Sequence, residues 1–238
     1  VWGWAEMTSG AFGVVSVEEI ALDLSGNAYV TGMINGTVTF GSINLVSNGY
    51  YDIFIAKLSS SGSWQWAVKA GGSSCEYGYE IALDSSGNIY VTGTFRDNAT
   101  FGDTGLIAEE DIDIFVAKLS NSGSWLWAVK AVGTHNDWTK AIAVDSSGNA
   151  FITGYFRETA NFGSTSLTTG STSGGNSEIF VAKISSSGEW QWATKAEESD
   201  GQGKAISVDS SGNAFVTGSF SETTTFGSTV LMLSLIHI

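Results

Sequence analysis

Short apolar runs rich in Val, Ile, Phe, Tyr and Trp alternate along this chain with clusters of Ser, Gly, Asn and Asp. Runs of that length, punctuated in that way, predict β-strands joined by tight turns. No long stretch repeats its apolar residues at helical spacing, so helix is expected to be nearly absent. The pattern also recurs. The segment from Ile20 to Gly32 returns at Ile81, Ile142 and Ile206, at spacings of 61, 61 and 64 residues. Asp52-Ile53-Phe54-Ile55-Ala56-Lys57-Leu58 returns at Asp113 and Glu178. Trp64-Gln65-Trp66-Ala67 returns at Trp125 and Trp190, with an earlier copy at Trp2. The order of the three segments never changes, which marks tandem copies of one supersecondary unit.

Each copy reads as four main strands, in the second copy Glu80 to Asp84, Asn88 to Phe95, Asp113 to Leu119 and Ser124 to Ala131. Ser85-Ser86-Gly87 closes the first hairpin, with glycine supplying the positive φ. Between strands two and three, Thr100-Phe101-Gly102 predicts a small extra strand or anchored loop whose Phe plugs the blade edge. Its counterparts hold Phe40, Phe162 and Phe226. Strands one and three are apolar at almost every position, as strands covered on both faces are. The fold class is therefore all-β. Tandem four-stranded antiparallel sheets covered on both faces describe a β-propeller, here a partial ring of about four blades. A β-solenoid is the competing architecture, but its coils run to roughly 20–30 residues and lack two hairpins per repeat.

The string Ala141 to Gly154 (Ala-Ile-Ala-Val-Asp-Ser-Ser-Gly-Asn-Ala-Phe-Ile-Thr-Gly), followed by Phe-Gly, Ile-Phe-Val-Ala-Lys and Trp-Gln-Trp-Ala, resembles the bacterial beta-propeller repeat family, SBBP. The resemblance runs from Trp2 to about Leu231, departing at Ser207 and Glu178. It implies a multi-bladed propeller in large secreted or surface-anchored bacterial proteins, often beside adhesive or sorting domains. It implies no defined catalytic residues. Residues 1–231 are thus expected to be propeller repeats, with copies starting near 20, 81, 142 and 206 and strand 2–6 belonging to a preceding copy. Residues 232–238 abandon the pattern and are read as a non-native tail. Joining the ends would leave a composite blade without its third strand, so a fragment of a larger ring is expected.

Composition narrows the function classes. The formal net charge is −14, which repels phosphate backbones and anionic lipid heads, so nucleic acid and membrane insertion are poor partners. No apolar run is long enough to span a bilayer as a helix. Cys75 is the sole cysteine, which excludes an intrachain disulfide and a cysteine-based metal site.

Candidate chemistry is sparse. The Asp-x-Ser-Gly-Asn turns at Asp23, Asp84, Asp145 and Asp209 resemble half a calcium loop but lack its bidentate Glu. Asp and Asn bonding their own turn is the preferred reading, and no cofactor or metal site is assigned. Each Trp pair, two residues apart, is expected on one side of its strand, with Trp64, Trp125 and Trp190 buried between neighbouring blades. Lys57, Lys118, Lys183, Lys69, Lys130 and Lys195 occupy repeat positions and are expected to pack their stems along the sheet. The acidic stretch Glu109-Glu110-Asp111-Ile112-Asp113 could bind calcium weakly, but a solvated loop is the preferred reading. His135 is the lone histidine before the tail, so no catalytic residue is assigned and no enzyme is expected.

Differences between copies concentrate in the loops Ser73–Tyr79, Thr134–Thr139 and Glu197–Gly203. Variable loops on a rigid scaffold are where binding usually resides. Tyr77, Tyr79, His135, Asp137 and Trp138 are the candidate ligand-binding residues, expected together on one face, with Cys75 nearby. Glu197, Glu198 and Asp200 would add negative charge, favouring a neutral glycan or a cationic partner. The expected function is a non-catalytic binding or adhesion scaffold, extracellular or at the cell surface, taking a glycan or protein ligand beside further blades. A structural spacer or stalk is the alternative, and a glycan-active enzyme comes third.

Overall fold

The computed structural model describes residues 8, 13–109, 112–170, 176–197, 200–221 and 223–232. Every named element is a strand. The first copy contributes β1 (Val14–Leu22), β2 (Ala28–Asn35), β3 (Thr37–Phe40), β4 (Ile43–Val46), β5 (Asp52–Leu58) and β6 (Trp64–Gly72). The second supplies β7 (Tyr77–Leu83), β8 (Ile89–Phe95), β9 (Asn98–Phe101), β10 (Thr104–Ile107), β11 (Asp113–Leu119) and β12 (Trp125–Gly133). The third holds β13 (Trp138–Val144), β14 (Ala150–Arg157), β15 (Thr159–Phe162), β16 (Thr165–Thr168), β17 (Ser177–Ile184) and β18 (Trp190–Lys195). The fourth has β19 (Gly201–Val208), β20 (Ala214–Phe220), β21 (Thr223–Phe226) and β22 (Thr229–Met232). The strand expected at 2–6 lies outside the described residues, as does the tail 232–238 apart from Met232, which ends β22.

In copies one to three the long strands form an antiparallel meander, β1-β2-β5-β6 and its equivalents. These are propeller blades. The Phe-Gly segment is a complete two-stranded hairpin, and it extends the sheet of the preceding copy rather than its own. Gly71 and Gly72 at the end of β6 pair with Thr100 and Ala99 of β9, and Ala131 to Gly133 of β12 pair with β15. Two sheets thereby grow to six strands, β1-β2-β5-β6-β9-β10 and β7-β8-β11-β12-β15-β16. The hairpin Phe supplies the anchor. Phe101 lies 4.9 Å from Phe115 and 5.3 Å from Trp125, and Phe162 lies 4.9 Å from Phe180 and 5.1 Å from Trp190.

The core sits between blades. Tyr29, Ile53 and Ile55 of copy one pack with Ile89, Val91, Phe101 and Phe115 of copy two. The opposite face of copy two, with Tyr90, Ile114 and Val116, packs with Ile142, Ile152, Phe162 and Phe180 of copy three. Strand three therefore buries both faces, which is why its residues run apolar without alternation.

The tryptophans differ from expectation in two ways. Trp64, Trp125 and Trp190 are half-buried rather than buried, because they start the outermost long strand of each blade. The two members of a pair also serve opposite faces. Trp64 packs with Phe40 and Phe54, whereas Trp66 packs with Tyr29 and Ile53. A register shift between Lys57 and Leu58 pairs Leu58 with Trp64 and Lys57 with Trp66. One extra residue reverses the facing of the side chains beyond it, overriding the two-residue rule. Each indole then reaches a different neighbour. The Trp66 Nε1–H donates to the Asn121 carbonyl of the next copy, and the Trp190 Nε1–H to the Lys130 carbonyl of the previous one, both at 3.1 Å.

The same residue type changes its exposure with the presence of a neighbour. Ile81 and Ile142 are 5% exposed between blades, while Ile20 on the outer face of copy one is 56% exposed. Tyr90 and Phe151 are buried, while the equivalent Phe215 is 61% exposed. In copy four β19 pairs with β20, and no described strand occupies the position of β5, β11 and β17. A cleft of about 360 Å³ lined by Ile179, Val216, Phe220 and Phe226 lies there.

Replacing the hairpin anchor tests this packing. Phe162→Ala should destabilise the chain by ~3–5 kcal/mol, the range for emptying a filled aromatic site. Thermal or denaturant unfolding checks it, and a loss under ~1 kcal/mol would show that the Phe is dispensable.

Candidate functional site

The first strand of each copy lies beside its counterpart in the next, β1 by β7, β7 by β13 and β13 by β19. Each of these inner strands carries a bulge, at Val17/Glu19, Gly78/Glu80, Thr139/Ala141 and Gly203/Ala205. The extra residues are Glu18, Tyr79, Lys140 and Lys204. A bulge bends the strand and re-aims its side chains. It also presses backbone against the next strand. A Cβ on Gly154 would fall far inside contact distance of the Trp138 carbonyl oxygen, and one on Gly93 would meet that of Tyr77. The recurring Thr-Gly is the sequence trace of this close approach. Gly154→Ala should accordingly cost ~1–3 kcal/mol, as overpacked sites do, measured by chemical denaturation. Wild-type stability in that variant would contradict the close approach.

At the loop ends of these strands the aromatic side chains form a row. Tyr51 lies 5.8 Å from Tyr77, and Tyr77 stacks on Tyr79 at 6.1 Å with their planes 5° apart. Trp138 stacks on Tyr155 at 5.1 Å and 25°. Lys140 joins the two groups, its Nζ 5.3 Å from the Tyr79 ring centre and 5.7 Å from that of Tyr155. All six side chains are half-buried, so each keeps part of its surface open to solvent. Burial pushes the Tyr77 hydroxyl up to about 12, helped by Cys75, and also raises those of Tyr79 and Tyr155. The tyrosines therefore act as neutral hydroxyl donors and flat apolar surfaces. Burial, and then the neighbouring Lys204, draws the Lys140 ammonium below its usual range.

Of the five residues singled out in sequence, three belong to this row: Tyr77, Tyr79 and Trp138. His135 does not. It is exposed and its Nδ1 faces Glu158 Oε2 at 3.4 Å, at the root of the β15–β16 hairpin. Asp137 is fully buried beneath the surface, which corrects its assignment as a ligand contact. Its Oδ1 accepts the Arg157 backbone N–H at 3.2 Å, and its Oδ2 has no hydrogen-bond partner among the described residues. Burial, and then repulsion from Asp113, lifts the Asp137 carboxyl to about 8. Glu76, at the same place one copy earlier, is lifted to about 7 by burial and then by Asp52 and Asp97, against the Gly72 N–H it accepts.

Tyr51, Lys140 and Tyr155 are not singled out by the sequence pattern. Tyr155 sits at a strand-two position that holds Met33, Thr94 and Ser219 in the other copies. That variation inside a repeat strand is the available signal. Glu197 bridges to Thr225 and Asp200 accepts from Ser177, so both belong to the hairpin side of the fold. Glu198 lies outside the described residues, as do Glu110 and Asp111. Asp113 of the same acidic stretch is fully buried and accepts the Glu109 and Gly133 backbone N–H groups, which corrects its reading as part of a solvated loop.

The remaining candidates are structural. In each Asp turn the carboxylate is occupied: Asp23 Oδ1 accepts from Ser25 and Asn27 N–H at 2.9 Å, and Oδ2 from the Asn27 amide at 2.8 Å. The Asn27 side-chain amide leads in holding Asp23 below the usual carboxylate range. Lys118 and Lys183 lie over Tyr90 and Phe151 while approaching Asp84 and Asp145 at 3.3 and 3.7 Å. Among the described residues no group of three or more His, Cys, Asp or Glu side chains could hold a metal.

Asp137 makes stability depend on pH. Its folded value, about 8, exceeds the ordinary 3.8, so between those values the folded chain holds a proton that the unfolded chain has released. Stability from this group is complete at low pH and falls as pH rises through that window. Asp137→Asn should flatten the melting-temperature profile, gaining on wild type as pH rises from 5 to 9. A gap that stays constant with pH would contradict the raised value.

The comparisons agree with this architecture. The model of the family described as beta-propeller repeat, SBBP, matches residues 65–94 and 127–155. Each match starts on the last strand of one blade and ends on the second strand of the next, spanning a junction. An uncharacterized WD repeat-containing protein of Acanthamoeba polyphaga mimivirus is 27% identical over 198 residues. That alignment covers 71% of this chain and 14% of the viral protein. The repeat model thus matches about a quarter of the chain, 59 of 238 residues, and the fold it describes, a β-propeller, is the fold of this structure.

Proposed function

We propose that this chain is a non-catalytic binding scaffold whose recognition surface is the aromatic row on the inner strands. The carrying observation is that Tyr51, Tyr77, Tyr79, Lys140, Tyr155 and Trp138 follow one another across three copies while each stays partly exposed. Aromatic side chains with a polar tip, fixed on rigid strands, are what binding surfaces concentrate. The rows of equivalent positions elsewhere in the fold hold unrelated residues, so the repeat itself does not demand these rings. Copies that share a frame but differ here fit a surface shaped for a ligand better than a spacer. A role in adhesion, on a secreted or cell-surface bacterial protein, is part of this proposal and rests on the family resemblance.

Trp138→Ala and Tyr77→Ala separate the scaffold from the spacer. With a ligand drawn from a glycan and protein array, each should weaken binding by ~2 kcal/mol or more, the threshold of an interface hot spot. Melting should move by no more than a surface stacking pair accounts for, about 0.5–1.5 kcal/mol. Array binding that survives both substitutions, or a chain that unfolds with either, would turn these rings into packing residues.

A further inference from the structure

We propose that the inner-strand surface binds an extended segment of a partner protein in which basic and acidic residues occupy separate stretches. The basic stretch lies over Glu19 and Glu80, and the acidic one over Lys140 and Lys204. The proposal rests on the aromatic row being a recognition surface and adds the chemistry of its ligand.

The bulges place like charges together on neighbouring strands. Glu19 of β1 and Glu80 of β7 occupy equivalent positions, as do Lys140 of β13 and Lys204 of β19. β1 packs beside β7, and burial, followed by repulsion from Glu19, lifts the Glu80 carboxyl to about 7. Lys140 feels Lys204 in the same way. Most other lysines are paired. Lys69, Lys118, Lys130, Lys183 and Lys195 each lie within 4 Å of a carboxylate, and Lys57 instead donates to Asn121 Oδ1 over the Tyr29 ring. Among the described residues no carboxylate lies within that distance of Lys140 or Lys204, although acids outnumber bases 24 to 10 in the whole chain.

Glu19, Glu80 and Lys140 are half-buried and Lys204 is exposed. Two like-charge pairs set side by side in this way cost stability unless something opposes them. A ligand that relieves both must carry a cation and an anion, separated by the Tyr79 junction between the pairs. A neutral glycan relieves neither pair and a uronic acid oligosaccharide only one. A polypeptide can relieve both, while its apolar side chains lie on Tyr77, Tyr79, Tyr155 and Trp138. Complementary charges of this kind fix the direction of binding more than they add affinity. The net charge of −14 would steer the basic end in first.

The test uses the whole chain and fluorescent peptides sharing a Tyr-Leu centre. One carries lysines at one end and glutamates at the other; the others carry lysines, glutamates or serines at both ends. The mixed-charge peptide should bind about tenfold more tightly than each of the others in anisotropy titrations. Lys140→Glu with Lys204→Glu should remove that preference at unchanged melting temperature. If the reversal disturbs folding, Lys140→Gln with Lys204→Gln should do the same. Equal affinity for all four peptides, no binding of the mixed-charge one, or tighter capture of an oligogalacturonate would overturn the proposal. A preference that survives loss of both lysines would overturn it too. Trp138→Ala tells the two levels apart. If it abolishes binding while the lysine variants do nothing, only the charge assignment falls. If it is also silent, the recognition surface falls as well.

Discussion

Ile114 and Phe115 are neighbours on β11, both fully buried, and they point into different cores. Phe115 packs toward copy one and Ile114 toward copy three. A strand that must lose water from both faces cannot be satisfied within its own sheet, so each blade needs a neighbour on either side. The rest of the architecture serves that requirement. The hairpins of copies two and three leave their own blades to extend the previous sheet, which covers an edge and closes the junction. The displaced register at the start of strand four then turns one tryptophan to each junction. Where the neighbour is missing, the same residue types lie open, as Ile20 and Phe215 do.

The inner strands meet the opposite demand. They pack side by side and carry a bulge in every copy, and the bulge takes one residue out of the repeat's packing logic. That residue is free to vary, and it is Glu18, Tyr79, Lys140 and Lys204 in the four copies. The core thus fixes the frame while the bulges supply the chemistry. Glycine opposite each bulge is the condition for both, since a side chain there would collide with backbone.

Much of this is legible in the sequence because packing repeats and can be compared across copies. The spacing from Ile20 to Ile81 to Ile142, the unbroken apolar runs at Asp113 to Leu119, and the recurrent Phe-Gly point to blades, two-faced burial and the anchored extra strand. Anything that depends on register is not legible. The two-residue rule places Trp64 and Trp66 on one face, and a single unpaired residue reverses that. The same kind of slip hides Lys140. Asp137 reads as accessible because its loop is polar, whereas the backbone carries it under the sheet edge. Tyr77, Tyr79 and Trp138 stand out because they break the repeat. Tyr51 and Tyr155 join them only through contacts that no spacing reveals.

If stability resides at the junctions, it should follow the number of neighbours a blade has, not its own sequence. Native-state hydrogen exchange, resolved strand by strand, tests this directly. The amides of β8 and β11, which have a blade on both sides, should be the slowest to exchange. Those of β1 and β20 should be the fastest of the long strands, with the β9–β10 hairpin exchanging together with β6. Equal protection of all four copies, or hairpins that open independently of the preceding blade, would contradict the account.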